Sequence, residues 1–295
     1  MERCDASIGA EECNNHAAPI RRSIRYMQSR LGEKVTLEEM AGIACMSPFH
    51  YLRVFQGLTG VPPARFLGAL RLEAAKNLLL RNDRPVFDIC QDVGYSSLGT
   101  FTSRFGQLVG LAPARYREMY RELRSGVTGT RGFPRSAESG PRGQLLQGRI
   151  EHELGDEAVL FVGLFTSRIP QDLPLTCDVL AGSREFHLVL PEGDGPFYVL
   201  TVGLLPVVEL TQLFDNRSLI GGVAASGVVS ASDIERPVRL RLRDPDLLDP
   251  PILVAFPLLM HLQLGALPIP APRPSVPTLL ASAPSVAIAA EVLGS

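Results

Sequence analysis

Apolar residues recur every three to four positions between about residues 19 and 122, a period that predicts a series of amphipathic helices. The first helix is expected to start at Pro19 and to end at Gly32. Its apolar face is formed by Ile20, Ile24, Met27 and Leu31. Helix-start and helix-end residues divide this region into about seven such segments.

Thr36 and Ser47 are predicted to cap the next two helices. Glu39 follows Thr36 by three positions and completes a capping box. Pro48 occupies the first position of the second helix, where its missing N–H costs nothing, and Gly60 ends that helix. A long helix is expected over 64–81, with Phe66, Leu70, Ala74 and Leu78 on one face, followed by helices that end at Gly94, begin after Ser97 and begin at Pro113.

Two stretches of this region resemble each other. TLEEMAGIACMS-PFHYLRVF and VFDICQDVGYSS-LGTFTSRF lie about 50 residues apart. Each predicts a short helix, a tight turn and a serine-capped helix with phenylalanines on its inner face. This order fits the helix-turn-helix geometry, and the long helix over 64–81 would join the two units.

The apolar period changes to that of strands after residue 145. Residues 125–145 are rich in Gly, Ser, Pro and Arg and are predicted to be a linker. Strand-like patterns follow in AVLFVGLF, REFHLVL, FYVLTVGLL, SLIGGVAASGVV, VRLRLR and ILVAFPLL. GDG at 193–195 is a predicted hairpin turn, and the alternation in VRLRLR places Val238, Leu240 and Leu242 towards a core.

These patterns predict an α + β protein with two domains. An N-terminal all-α double helix-turn-helix domain spans residues 17–124, and a C-terminal all-β sandwich-like domain spans 146–265. Residues 1–16 are expected to form a flexible tail, and the Pro/Ala-rich residues 266–295 are expected to be disordered.

The net charge of −2 conceals an uneven distribution along the chain. Residues 17–124 carry 16 basic and 9 acidic side chains, whereas residues 125–295 carry 12 basic and 18 acidic ones. A basic block on an acidic chain indicates a polyanionic partner for that block.

The cysteines and the apolar segments narrow the class of protein further. The five cysteines lack the CxxC spacing of a zinc site, and Cys45 and Cys90 lie in apolar helical patterns that favour core positions. Asp244, Asp246 and Asp249 are spaced like calcium ligands, but DP steps commonly start turns. No metal or cofactor is therefore expected.

The N-terminus lacks a signal-peptide pattern, and the late apolar stretch is interrupted by Pro257 and His261. A cytoplasmic protein without membrane contact is therefore expected.

Residues 19–122 resemble the DNA-binding domain of the AraC/XylS family of transcription regulators. SPFHYLRVF is similar to the family's first recognition helix, RLEAAKNLLL to its linker helix, and DICQDVGYSSLGTFTSRFGQLVGLAPARYR to its C-terminal signature. The resemblance covers about a third of the chain and implies two helix-turn-helix units that enter successive major-groove segments. Family members usually carry the sensor domain first, which is the reverse of the order here.

The helix at 47–58 has apolar residues on both faces. Tyr51, Val54, Phe55 and Leu58 form an inward stripe. The opposite face carries Phe49, Leu52, Arg53 and Gln56 and is predicted to bind DNA, together with Ser47, Pro48 and His50. The alternative is that Phe49 and Leu52 pack against another helix or a dimer partner.

The second unit departs from the family pattern. Phe101 and Phe105 form its inner stripe, and the family often has basic residues where Ser103 and Gly106 stand. The DNA-binding residues expected here are Ser97, Leu98, Gly99, Thr102, Ser103 and Arg104. The first helix is expected to dominate sequence recognition, while the second mainly positions the protein on DNA. Backbone contacts are expected from Arg21, Arg22, Arg65, Arg115 and Arg117.

The residues after 125 do not show the pattern of a catalytic site, so the protein is not expected to be an enzyme. Three interpretations stay open: a regulator whose C-terminal domain binds a small-molecule effector or a protein partner, a DNA-binding protein whose C-terminal domain only forms a homodimer, and a DNA-linked enzyme. Double-stranded DNA is the expected partner, with RNA polymerase as a further one if the protein is an activator.

Overall fold

The computed structural model describes residues 10–125, 143–155, 158–192, 195–204, 224–229 and 237–255. Seven helices precede seven strands in this part of the chain. The helices are α1 (Ala10–Ser29), α2 (Leu37–Ile43), α3 (Pro48–Thr59), α4 (Pro63–Arg81), α5 (Val86–Asp92), α6 (Leu98–Val109) and α7 (Pro113–Arg124). The strands are β1 (Gly143–Glu151), β2 (Val159–Phe165), β3 (Thr176–Ala181), β4 (Glu185–Pro191), β5 (Phe197–Leu204), β6 (Ala224–Val229) and β7 (Val238–Arg241).

The predicted capping residues begin the helices as expected. The amide of Glu39 donates to the hydroxyl of Thr36 at 3.2 Å, and the Glu39 carboxylate accepts from the Thr36 amide at 2.7 Å. This reciprocal pair is the predicted capping box. Ser47 caps α3 by accepting from the His50 amide at 3.4 Å, and Ser97 caps α6 in the same way.

The first helix is longer than the sequence predicted. α1 begins at Ala10 and contains Pro19 in its interior. The predicted start at Pro19 is therefore wrong, and residues 10–16, which were assigned to the N-terminal tail, belong to this helix. Proline favours the first turn of a helix, but its fixed φ is helical, so α1 continues through it with the loss of one main-chain hydrogen bond.

α4 is buried on nearly all sides. The predicted apolar face of α4 is confirmed at Phe66 and Leu70, which are buried. Positions around the other sides of the helix are buried as well, at Leu67, Ala69, Leu72, Ala75, Lys76 and Leu79. α4 packs against α1, α3, α5 and α7, which explains why a single apolar stripe was too narrow a prediction.

Arg71, in the middle of α4, contacts the main chain on both sides of that helix in the sequence. Its Nη2 atom donates to the Glu33 carbonyl oxygen at 2.6 Å, in the connection between α1 and α2. Its Nη1 atom lies 3.5 Å from the Gly94 carbonyl oxygen, in the turn between α5 and α6. One guanidinium therefore contacts the connection that precedes the first unit and the turn of the second unit.

The strands form two sheets in the described part of the chain. One has the order β4-β1-β7, and the other has the order β3-β2-β5-β6. β1 and β7 are parallel, and all other neighbours are antiparallel. Side chains from both sheets share one buried cluster, with Phe186 and Leu240 from the first sheet and Val162 and Val199 from the second.

Several strand predictions need correction. β1 begins at Gly143, inside the predicted linker, and β3 was not predicted because its side chains are half-buried without clear alternation. The hairpin predicted at 193–195 is wrong, since β4 and β5 belong to different sheets.

The last two strand-like patterns have different outcomes. ILVAFPLL forms no strand over residues 252–255, and its last four residues lie outside the described part, as does the predicted tail at 266–295. The alternation in VRLRLR is confirmed, because Leu240 and Leu242 are buried.

Residues 252–255, which do not form the expected strand, pack against the helices. Leu253 and Ala255 belong to the buried cluster of the helical part. Nearby, Arg21 of α1 forms an ion pair of 2.8 Å with Asp246. The helical and the sheet-containing parts therefore share a packed boundary.

Lys76 lies at this boundary and is the only charged side chain of the described residues that is buried. Its Nζ atom donates to the carbonyl oxygens of Ile252 at 3.0 Å and of Val254 at 3.3 Å. Burial lowers the pKa of Lys76 to about 8, and the nearby Glu73 opposes that shift.

This burial predicts a pH-dependent contribution of Lys76 to stability. The unfolded chain holds the proton up to the ordinary pKa of 10.5, whereas the folded protein loses it near 8. The folded state therefore gains stability as the pH rises between these values. The free energy of unfolding of the wild type, relative to Lys76→Met, is expected to rise by up to about 3 kcal/mol between pH 7 and pH 10.

Urea denaturation at the two pH values measures this difference. Lys34→Met, which changes an exposed lysine, serves as the matched control and should show no such pH dependence. A difference that stays constant for Lys76→Met would show that the ammonium group is hydrated in the folded protein.

Candidate nucleic-acid interface

α3 carries apolar residues on two opposite faces. Tyr51, Val54 and Phe55 are buried, and Leu58 packs against the same cluster, so the predicted inner stripe is confirmed. On the opposite face Phe49 is 78% exposed and Leu52 is 37% exposed. Arg53 and Gln56 are exposed on that same face. The structure thus brings these four side chains together on one surface of the first unit.

The turn before α3 directs this surface outwards. Cys45 has a left-handed backbone with φ 58°, and the amide of Met46 donates to the Ala41 carbonyl oxygen at 2.9 Å. The Cys45 side chain is exposed, so its predicted core position is wrong; Cys90 is buried as predicted. The helical apolar period ends at the buried Ala44, one residue before the chain turns.

His50 positions the guanidinium of Arg53. Arg53 Nη2 lies 3.3 Å from His50 Nδ1, within hydrogen-bond distance when that nitrogen is unprotonated. On its other side the His50 ring meets the ring of His16 edge to face, with centroids 5.4 Å apart. The contact with His50 uses one of the five N–H groups of Arg53, and the exposed guanidinium keeps donors for a planar acceptor. The place of His16 beside His50 was not predicted, because α1 was expected to start after His16.

The outer face of α6 is smaller and less charged. Phe101 and Phe105 are fully buried, which confirms the predicted inner stripe. Leu98 is 40% exposed and is the only large apolar side chain on the outer face. The other predicted contact residues, Ser97, Gly99, Ser103 and Arg104, are exposed, and Thr102 is half-buried. The two units therefore have the same order of helices and turns, but the side chains on their outer faces differ.

Of the arginines expected to contact the DNA backbone, three are engaged within the protein. Arg21 pairs with Asp246, and Arg115 pairs with Glu118 and Glu122. Arg117 donates to the carbonyl oxygens of Leu79 and Arg84. Arg22 and Arg65 are exposed and stay candidates.

The aspartates spaced like calcium ligands have partners of another kind. Asp246 pairs with Arg21, and Asp249 accepts hydrogen bonds from both terminal nitrogens of Arg243. Within the described ranges, no three His, Cys, Asp or Glu side chains are grouped as metal ligands. In the same ranges, none of the helices combines the length and apolar character that a bilayer span requires.

Two serine-capped second helices, joined through one buried helix, define a double helix-turn-helix domain. Residues 40–119 match the family model described as a helix-turn-helix domain. The predicted AraC-type domain is confirmed over this segment.

One similar protein is the bifunctional transcriptional activator/DNA repair enzyme AdaA of Bacillus subtilis (strain 168). It is 33% identical over 94 residues. The match covers 32% of this chain and 44% of that protein. The RCS-specific HTH-type transcriptional activator RclR of Escherichia coli (strain K12) is 35% identical over 100 residues, 34% of this chain and 35% of that protein.

Among solved structures, the C-terminal domain of AraT, a response regulator from Geobacillus stearothermophilus, shares 28% identity with a TM-score of 0.34. The match covers 35% of this chain and 87% of that one. The chain spans less than half the length of the curated relatives described above.

The exposure of Phe49 predicts that it contributes little to stability. Phe49→Ala is expected to change the free energy of unfolding by less than about 0.5 kcal/mol. Phe55→Ala, on the buried face of the same helix, is expected to cost about 3–5 kcal/mol. Urea denaturation followed by circular dichroism measures both, since the chain has no tryptophan.

The same experiment tests the alternative that Phe49 packs against a partner. A large loss of stability for Phe49→Ala that depends on protein concentration would place Phe49 in an interface between copies of the chain.

Proposed function

We propose that the protein is a sequence-specific, double-stranded-DNA-binding transcription regulator whose main recognition element is α3. The observation that carries this proposal is the outer face of that helix. It exposes two large apolar side chains next to an arginine held by a histidine, on a helix fixed from behind by three buried residues. An exposed apolar surface bordered by polar groups is typical of an interaction site.

Each side chain on this face matches a feature of the major groove. Arg53 can donate two hydrogen bonds to O6 and N7 of guanine, the commonest specific contact in protein–DNA complexes. Phe49 and Leu52 suit the methyl groups of thymine, and Gln56 can pair with adenine or contact a phosphate. Ser47 and Pro48, at the positive end of α3, can approach the phosphate backbone.

The second unit is proposed mainly to position the protein and to contribute less to base selection than α3. Thr102 and Ser103 on the outer face of α6 can each make a single hydrogen bond to a base edge, but they are too short for the bidentate pairs that discriminate bases most strongly. Arg104 is exposed and suits a phosphate contact.

The C-terminal part is proposed to be a β-sandwich that binds an effector or a protein partner. Its two sheets share one buried cluster, which supports that architecture. Leu145, Leu173 and Leu175 are exposed on the same part of the chain. These apolar side chains favour a protein contact, either with a second copy of the chain or with RNA polymerase if the protein activates transcription.

Selection of bound sequences from a random DNA pool, with the full chain, tests the proposed function. One enriched asymmetric sequence is the expected result. A sequence enriched only in duplicated form would favour the dimer, and no enrichment at all would overturn sequence-specific binding.

Arg53→Ala is expected to weaken binding to the selected sequence by about 1–3 kcal/mol and to relax the preference at one or two base pairs. The reason is the loss of a bidentate contact to a base edge. Fluorescence anisotropy with the selected site and with substituted sites measures the effect. Arg184→Ala, which removes an exposed arginine from the C-terminal part, is the matched control. Equal weakening on all sequences would show that Arg53 contacts a phosphate.

Ser103→Arg is expected to raise DNA affinity on all sequences and to steepen its dependence on salt concentration by about one counterion. The change adds a cation to the exposed face of α6. Titrations at several salt concentrations measure the slope. An unchanged slope would show that α6 stays away from the duplex.

A further inference from the structure

One loop of the C-terminal part lies against the carboxyl ends of both second helices, α3 and α6. It connects β2 to β3 and comprises residues 166–175, here called the bridging loop. The two helix ends correspond to each other in the sequence repeat, since Gly60 and Gly110 end the helices with φ of 75° and 88°.

At α3 the contact is made by an arginine side chain. A methyl group built on Gly60 would overlap Cδ of Arg168 and lie 2.8 Å from its Nη1 atom. The guanidinium therefore covers the end of α3, where the unpaired carbonyl groups carry partial negative charge. Arg168 also lies over the ring of Tyr198 on β5, with its Cζ atom 5.4 Å from the centroid, which holds it to its own sheet.

At α6 the contact is made by the main chain. The amide of Asp172 donates to the carbonyl oxygen of Leu108 at 2.7 Å, and Leu108 belongs to the last turn of the helix. Between the two contacts, Ile169 is buried within the apolar cluster of the helices. The bridging loop thus joins the core that both units share.

The bridging loop is also tied to the helix that joins the units. The carbonyl oxygen of Pro170 accepts from the amides of Leu253 at 2.8 Å and Val254 at 3.1 Å. The carbonyl oxygens of Ile252 and Val254 in turn accept from the ammonium group of Lys76 on α4. The loop, the segment 252–254 and α4 therefore form one connected set of contacts.

We infer that the bridging loop fixes the separation and relative rotation of α3 and α6, so that the protein accepts DNA sites of only one spacing between the two contacted segments. The inference rests on the proposed DNA binding. Each added base pair rotates the second segment by roughly 35° and moves it by about 3.4 Å. Two helices held rigidly cannot follow that displacement, whereas two loosely joined units can.

Asp172 provides a matched pair of variants. Its φ of 58° and its donated N–H are both incompatible with proline, so Asp172→Pro should release the loop from α6. Asp172→Gly keeps the N–H and accepts the positive φ, and it removes the same carboxylate. Arg168→Ala, with Arg184→Ala as its control, tests the contact at α3 separately.

The first measurement is the affinity of the full chain for the selected DNA site and for the same site with one base pair inserted between the two contacted segments. The wild type and Asp172→Gly are expected to lose at least about tenfold on insertion, whereas Asp172→Pro loses about threefold or less. The same direction is expected for Arg168→Ala relative to Arg184→Ala. Equal losses for Asp172→Pro and Asp172→Gly would overturn the inference.

The second measurement needs no DNA and separates this inference from the proposed function. Nitroxide labels on Gln56 and Gln107, both exposed, report the distance between α3 and α6 in the free protein. The native cysteines that react with the label are first replaced by serine. Asp172→Pro should broaden the distance distribution and Asp172→Gly should not. Equal widths would overturn the inference even if the protein binds DNA.

Discussion

The burial of α4 on nearly all of its sides is the constraint on which the rest of the structure depends. Both helix-turn-helix units use this helix as a wall of their cores, and the segment 252–255 covers the side that carries Lys76. A helix in this position cannot be amphipathic in the ordinary sense. The polar side chains at its covered positions must therefore find partners inside the protein, as Arg71 does with two main-chain carbonyls and Lys76 does with two others.

The partners of these cations explain how the helical and sheet-containing parts can share one boundary. A buried ammonium group is costly unless it is hydrogen-bonded. Lys76 satisfies that requirement with carbonyl groups of a segment that has no regular secondary structure. The segment keeps those carbonyls free because it does not pair as a strand. The same contact therefore explains two observations. Residues 252–255 do not form the expected strand, and their free carbonyl groups allow Lys76 to be buried.

The helical part and the outer face of α3 could be predicted from the sequence because their signals are local. Ser47, Pro48 and Gly60 mark the ends of α3, and a period of three to four residues separates its two faces. The sheet pairing could not be predicted in the same way, because it depends on contacts between distant residues. β1 pairs with β4 and β7, and neither β4 nor β7 is adjacent to β1 in the sequence. The contact between His16 and His50 was missed for the same reason, since the two rings meet across different helices.

The two units arise from a repeated sequence, yet their second helices differ at both ends. At the carboxyl end, an arginine side chain covers α3, while a main-chain amide contacts α6. At the exposed faces, α3 presents Phe49 and Arg53 where α6 presents small residues. Such a pair has no internal two-fold axis. Under the proposed DNA binding, one copy of the chain holds a duplex in a single polarity, and inverting the site would carry the C-terminal sheets to the opposite flank.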